Sequence, residues 1–293
     1  MRRLLSNCVS MRKLFLPLLL LSALATPVAA ETAYTASTGL QLYSLRSQFK
    51  LRGVASTLDQ VQKFGITEVE LAGVQGGLTP EAFRAELDKR GLIPVSSHFP
   101  YGRYKSDLDA VVKEAKALGL KYAGCAWIDH KDTFDEAECQ DAIATFNRAG
   151  EALAKEGITF FYHCHGYEFL PHKDSTLFDL LMQETKPEFV SYEMDVLWVV
   201  FPGQDPVKLL KKYGDRWKLM HLKDLRKGVA TGEQTGKTDV ENDVSIGAGQ
   251  MNWPAILSAA QKVGIKHYFI EDESSTSEVQ IPLSLGFLKT VKW

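Results

Sequence analysis

Apolar runs of four to six residues, rich in β-branched and aromatic side chains, recur along this chain between segments with helical periodicity. They are Leu40 to Leu45, Glu68 to Leu71, Ile93 to His98, Tyr122 to Trp127, Ile158 to His163, Val190 to Met194, Lys218 to Leu222 and Tyr268 to Glu271. Between them, Pro80 to Arg90, Leu108 to Leu118 and Glu136 to Glu156 read as helices. Each closes on a glycine (Gly91, Gly119, Gly157) that can take the left-handed conformation and stop the helix. Eight strand–helix units in chain order predict a parallel sheet with crossover helices. An open doubly wound sheet rarely has eight such units, and no Gly-x-Gly-x-x-Gly follows the first strand, so the expected fold is a closed α/β (β/α)8 barrel. The long Gly- and Thr-rich stretch Arg226 to Gln250 follows the seventh strand, where loops overlie a barrel's active site, and reads as a substrate cover.

The first thirty residues stand outside this pattern. Arg2, Arg3, Arg12 and Lys13 precede the apolar run Leu14 to Ala25, and Val28-Ala-Ala30 offers small residues at the positions signal peptidase reads. The expectation is a signal peptide over residues 1–30, a barrel domain over 31–293, and a periplasmic or secreted protein without a stable membrane anchor. N-terminal sequencing of the protein from the host's envelope fraction should begin at Glu31; intact Met1 or Met11 on cytoplasmic protein would contradict export. Removing 30 of the 293 residues leaves 263, near the roughly 250 of a single (β/α)8 barrel. The four basic residues removed leave 30 Lys+Arg against 36 Asp+Glu, a net of −6 that makes nucleic acid a poor partner. Export permits a disulfide among Cys125, Cys139 and Cys164, but their strand and helix positions favour burial as small apolar side chains.

Candidate chemistry collects where the late strands end. In a parallel barrel all strand C-termini open on one face, so Glu168, Asp195, His221 and Glu271 could converge on one ion. The alternative is four ordinary polar strand ends. Weaker candidates for holding substrate are Glu70, His98 and His163, with Gln41 and Tyr43 placed on one face of the first strand by period-two alternation. Trp127, Trp198 and Trp253 could stack on a sugar or simply pack the core. Glu193, two residues before Asp195, could face the barrel interior or form a salt bridge in its wall.

Several segments together resemble the sugar phosphate isomerase/epimerase family, within the xylose-isomerase-like TIM-barrel superfamily. They are Gly39-Leu-Gln-Leu-Tyr-Ser-Leu-Arg46, Tyr162-His-Cys-His-Gly-Tyr-Glu-Phe169, Met194-Asp-Val196, His221-Leu-Lys-Asp224 and Ile246-Gly-Ala-Gly-Gln-Met-Asn-Trp253. The family often has His-Asn-His where this chain has His163-Cys-His165, which keeps both imidazoles and removes an amide. The resemblance implies one divalent ion held by Glu168, Asp195, His221 and Glu271. Three carboxylates and one imidazole suit Mn, Mg or Co with positions left for substrate oxygens.

His165 is the leading general base, able to remove a proton from carbon next to a carbonyl; the competing reading makes it a residue that orients Glu168. Glu168 and Glu271 are further catalytic candidates. Lys223, on the same strand face as His221, could neutralise a developing oxyanion or be a solvated loop lysine. The expected substrate is a small carbohydrate, a free sugar or keto-sugar, isomerised or epimerised through an enediolate. The alternatives are a lyase or hydratase acting on 3-keto-glycosides or their glycals, and a non-catalytic sugar-binding protein.

Overall fold

A computed structural model describes residues 32–293; the expected signal peptide lies outside the described residues. Eight parallel strands close into a barrel. We label them β1 (Thr38–Gln41), β2 (Glu68–Leu71), β3 (Ile93–His98), β4 (Tyr122–Cys125), β5 (Thr159–His163), β6 (Val190–Asp195), β7 (Trp217–Leu222) and β8 (His267–Ile270). Each pairs with its neighbour in chain order, and β1 closes the ring by pairing Gly39 with Phe269 of β8. All eight expected strands are present, with shifted ends.

The largest shift is in the opening run. The strand stops at Gln41, and Leu42–Leu45 form a 3-10 turn that leads into the helix Arg46–Lys63. Gln41 drives this change by accepting a hydrogen bond from the Tyr43 backbone N–H at 3.0 Å. Gln41 and Tyr43 therefore do not share a strand face, contrary to the expectation.

Inward-facing side chains form layers, as a packed barrel requires. Val95, Phe161, Leu219 and Phe269 make an apolar plug. Gly39 and Gly124 leave room for it, since a Cβ would lie 2.6 Å from the Phe269 ring at the first and 2.3 Å from the Phe161 ring at the second. The plug seals the barrel from below, and the next inward layer is almost entirely polar. The outer face carries the larger core, including Tyr104, Phe146, Phe160, Tyr162, Tyr192 and Trp217, covered by helices such as Leu108–Leu118 and Glu136–Ala154. Cys125, Cys139 and Cys164 are buried and unbridged. Among the described residues no helix is long and apolar enough to cross a membrane.

Two sequence motifs turn out to be one structural unit. The buried Asp224 carboxylate accepts the backbone N–H groups of Gly247 (2.8 Å), Gly249 (3.2 Å) and Met251 (3.3 Å), and the Trp253 indole N–H (2.8 Å). His-Leu-Lys-Asp thus fastens the Gly-rich turn that precedes the helix Trp253–Val263. A Cβ on Gly249 would fall 2.1 Å from Asp224 Oδ1 and 2.4 Å from the Leu225 carbonyl. Gly249→Ala should therefore cost about 1–3 kcal/mol by overpacking. Urea unfolding would show it as a lower midpoint at unchanged slope; an unchanged midpoint would contradict this role for the turn.

Candidate metal centre

Above the plug, seven ionisable side chains from β2, β3, β5, β6, β7 and the end of β8 meet: Glu70, His98, His163, Glu193, Asp195, His221 and Glu271. Period-two alternation puts Glu193 and Asp195 on the same inward face of β6, and His221 and Lys223 on that of β7 and its extension.

His221 sits at the centre and is fully buried. Its Nε2 lies 2.6 Å from Glu70 Oε1 and 3.2 Å from Glu193 Oε2, while its Nδ1 lies 3.1 Å from Glu271 Oε2 and 3.7 Å from Asp195 Oδ2. Glu193 Oε2 also lies 3.1 Å from both His98 Nε2 and His163 Nδ1. Glu70 is further held by Gln41 Nε2 at 2.7 Å and Ser96 Oγ at 2.5 Å.

Charge in this water-poor layer is divided unevenly. Burial alone would raise the Glu70 carboxyl, but the His98 and His221 imidazoles bring it below its usual value. Glu193 is pushed up to about 7 by burial and then by the Glu70 charge. Burial would disfavour a charged His221, yet Glu193, Glu271 and Glu70 hold its proton on well above the ordinary range. His163 goes the other way: burial, then the neighbouring His221 and His98, keep it neutral.

The expected ligands come together only in part. Asp195, His221 and Glu271 offer ligand atoms within 4.8 Å of one another. Asp195 Oδ1 caps the helix Val196–Val200 through the Trp198 N–H at 3.1 Å, leaving Oδ2 buried without a hydrogen-bond partner. Glu168 is not with them. It lies in a 3-10 turn entered through Gly166 at φ 98°, and its carboxylate accepts the backbone N–H groups of His165 (2.9 Å) and Gly166 (2.7 Å) and the Tyr162 hydroxyl. Tyr162 points out of the barrel into the outer core, so Glu168 anchors the turn from behind. Burial raises its carboxyl to about 7.

A cavity of ≈440 Å³ opens over the centre, lined by Tyr43, His98, Trp127, His163, His165 and Glu271 among others. Of the substrate-binding expectations, Tyr43, His98 and His163 reach this cavity, whereas Gln41 and Glu70 lie beneath it as fully buried supports. His165 stacks on Trp198 with centroids 4.7 Å apart, and Trp127 meets it edge-on at 5.2 Å. Its Nδ1 is buried without a hydrogen-bond partner, and desolvation, then the Lys223 charge, pull the imidazole down to about 3.

Lys223 is 1% exposed, so it is no solvated loop residue. Its ammonium lies 2.5 Å from Glu273, 3.5 Å from Glu271 and 3.6 Å from Asp243, in a smaller adjoining cleft. Its charge, with that of His221, keeps Glu271 ionised well below the carboxylate range against the opposing effect of burial. Trp253 serves Asp224 and Trp198 backs His165, leaving Trp127 as the cavity's indole.

The expected cover over Arg226 to Gln250 closes one side: a Cβ on Gly236 would lie 2.8 Å from Tyr167, 3.1 Å from the His165 carbonyl and 3.1 Å from Trp127. Residues not anticipated include Ser96, Phe99, Tyr101, Asp129 and Glu273. Ser96 and Glu273 each lie two residues from an anticipated residue on the same face, a signal the alternation carried; Phe99 and Asp129 sit in loops and Tyr101 opens the short helix Tyr101–Ser106, with no such signal.

The family model described as xylose isomerase-like TIM barrel matches residues 58–291. The chain belongs to that family. Among curated proteins, an inosose dehydratase of Geobacillus thermodenitrificans is 28% identical over 160 residues, 53% of each chain, so the match spans about half the length of that relative. Among solved structures, a sugar phosphate isomerase/epimerase of Parabacteroides distasonis superposes with a TM-score of 0.72 at 26% identity, over 88% of this chain and 99% of that one. The IOLI protein, solved with a bound zinc atom, superposes with a TM-score of 0.67 at 13% identity, over 85% of this chain and 95% of that one.

Proposed function

We propose that the protein is a metal-dependent enzyme that removes a proton from carbon next to a carbonyl in a small polyhydroxylated substrate, a free sugar or keto-sugar, and that it works after export from the cytoplasm. The observation that carries this reading is the Asp195–His221–Glu271 cluster, which reaches the cavity lining through Glu271, with the buried Asp195 Oδ2 left unpartnered. An anionic oxygen in a dry site is costly without a partner, and carboxylate plus imidazole donors suit a divalent ion. Mn, Mg and Co suit three carboxylates and one imidazole; with Glu168 outside the set, Zn joins them as a candidate. A divalent ion held there supplies Lewis acidity toward the substrate's carbonyl oxygen.

The chain's own groups provide the rest. His165, neutral and fixed between two indoles, accepts the α-proton, and the C–H electron pair moves into the carbonyl to give an enediolate. Trp127 offers an apolar face for the sugar ring, and the cover around Gly236 restricts water. Lys223 sets the charge of Glu271 and meets the substrate less directly than the sequence suggested. Returning the proton to the neighbouring carbon isomerises the substrate; returning it to the opposite face of the same carbon epimerises it.

A second outcome is favoured by the similarity to inosose dehydratase: if the substrate carries a β-hydroxyl or β-glycosyl group, the enediolate expels it, and the enzyme is a lyase or hydratase. Incubating metal-loaded protein with aldoses, ketoses, inososes and 3-keto-glucosides separates the outcomes. Aldose–ketose exchange or an inverted centre supports the isomerase/epimerase reading, and loss of water or aglycone supports the lyase. Binding without turnover of any of them would support the non-catalytic alternative.

A further inference from the structure

The ring of potential ligands around Asp195 Oδ2 has a gap where Glu168 was expected, and another side chain is already aimed into it. His163 ends β5, is 2% exposed, and lines the cavity. Its Nδ1 is bound to Glu193 Oε2 at 3.1 Å, so Nε2 is the free ring nitrogen, and that atom lies 4.0 Å from Asp195 Oδ2. His221 is tied in the same manner. Its Nε2 is fixed by Glu70 at 2.6 Å, and its Nδ1 faces Asp195 and Glu271. An imidazole that ligates a metal almost always donates its other ring N–H to a carboxylate or carbonyl, which sets the tautomer and ring plane. Both histidines have one ring nitrogen held by a glutamate from behind and the other turned toward Asp195 Oδ2; that second nitrogen is free in His163 and bonded to Glu271 Oε2 at 3.1 Å in His221.

From this we infer that His163 Nε2, and not Glu168, completes the ligand set, giving two imidazoles and the carboxylates of Asp195 and Glu271. Glu70 and Glu193 are then positioning residues that hold the two imidazoles from behind. The atoms run in one arc: His163 Nε2 to Asp195 Oδ2 at 4.0 Å, Asp195 Oδ2 to His221 Nδ1 at 3.7 Å, His221 Nδ1 to Glu271 Oε2 at 3.1 Å. Ligand atoms each about 2.1 Å from a divalent ion sit about 3.0–3.5 Å apart; His163 Nε2 lies farther than that from Asp195 Oδ2, and His163 groups with His98, Glu193 and His221, so its imidazole has to move toward Asp195 for the set to close. Glu168 has no free valence for this task, because the His165 and Gly166 amides and the Tyr162 hydroxyl occupy its oxygens. Two imidazoles also make the set softer than three carboxylates and one imidazole. It should therefore hold Zn or Co more tightly, relative to Mg, than the sequence reading implied.

This inference rests on the proposed metal site, and the test separates the two. Zinc is loaded into the purified protein, the imidazole shell is counted by X-ray absorption, and Zn²⁺ affinity is measured by competition with a chromophoric chelator. The wild type should show two imidazoles. Glu168→Gln should keep both, with affinity within roughly tenfold of wild type, while His163→Ala should show one and bind at least roughly 100-fold more weakly. Glu193→Gln, which keeps the shape of the support but not its charge, should weaken binding by about 10- to 100-fold.

A single imidazole in the wild type, with zinc lost from Glu168→Gln and kept by His163→Ala, would overturn the assignment of His163 and leave the metal reading intact. A wild-type protein that takes up no stoichiometric zinc, cobalt or manganese would overturn both. Because the wild-type count alone decides between one and two imidazoles, the test holds even if a variant fails to fold.

Discussion

Asp195→Asn is expected to remove the bound ion and the turnover together. The substitution keeps the oxygen that caps the Val196–Val200 helix through the Trp198 N–H, so the fold should survive. It removes the negative charge from the atom toward which His163, His221 and Glu271 converge. Lewis-acid stabilisation is worth several kcal/mol in metal-dependent proton abstractions, so kcat/KM should fall on the order of 10³-fold or more. Elemental analysis should find far less than one ion per chain in the variant, with an unchanged circular dichroism spectrum. Full metal occupancy in Asp195→Asn would show that the site lies elsewhere.

His165→Ala should separate chemistry from metal binding. His165 touches the cavity but is not among the converging ligand residues, and its ring is held by Trp198 and Trp127. General-base catalysis contributes about 10² to 10⁴ in rate, so kcat should drop by that factor with the metal retained. A loss that appeared first as metal affinity weakened by about 10- to 100-fold would mark His165 as an orienting residue instead. A variant that still exchanged the α-proton at the wild-type rate would pass the role of base to Glu271, which lines the same cavity. Glu168 is the poorer substitute, because its oxygens are engaged by the His165–Gly166 backbone.

How much of this was legible in the sequence differs by scale. The barrel was, because eight buried strands separated by Gly-capped helices leave a periodic signature that few other folds share. Strand ends were less so. Leu42 and Leu45 are as buried in their 3-10 turn as they would be in a strand, so hydrophobicity carried the expected first strand past Gln41. Within the site, the residues that alternation alone places, His221 on β7 and Asp195 on β6, converge as expected.

Glu168 does not, since its direction depends on the backbone reversal at Gly166 and on Tyr162 behind it, neither of which spacing along the chain encodes. His163 was in view as a substrate residue. What the sequence could not give was its tautomer, which is set by Glu193 from the neighbouring strand. The Glu70–His221 contact is likewise a pairing between residues 151 positions apart, visible only once the barrel closes.

Proton abstraction next to a carbonyl, with the help of a bound divalent ion, is tested most directly by deuterium exchange, followed by proton NMR, when metal-loaded protein is incubated in D₂O with a panel of ketoses, inososes and 3-keto-glucosides. Deuterium should appear at the carbon beside the carbonyl of at least one substrate, and chelation should abolish the exchange and added Mn, Co or Zn restore it. Turnover that leaves that carbon fully protiated, or exchange that persists undiminished after chelation, would contradict this mechanism.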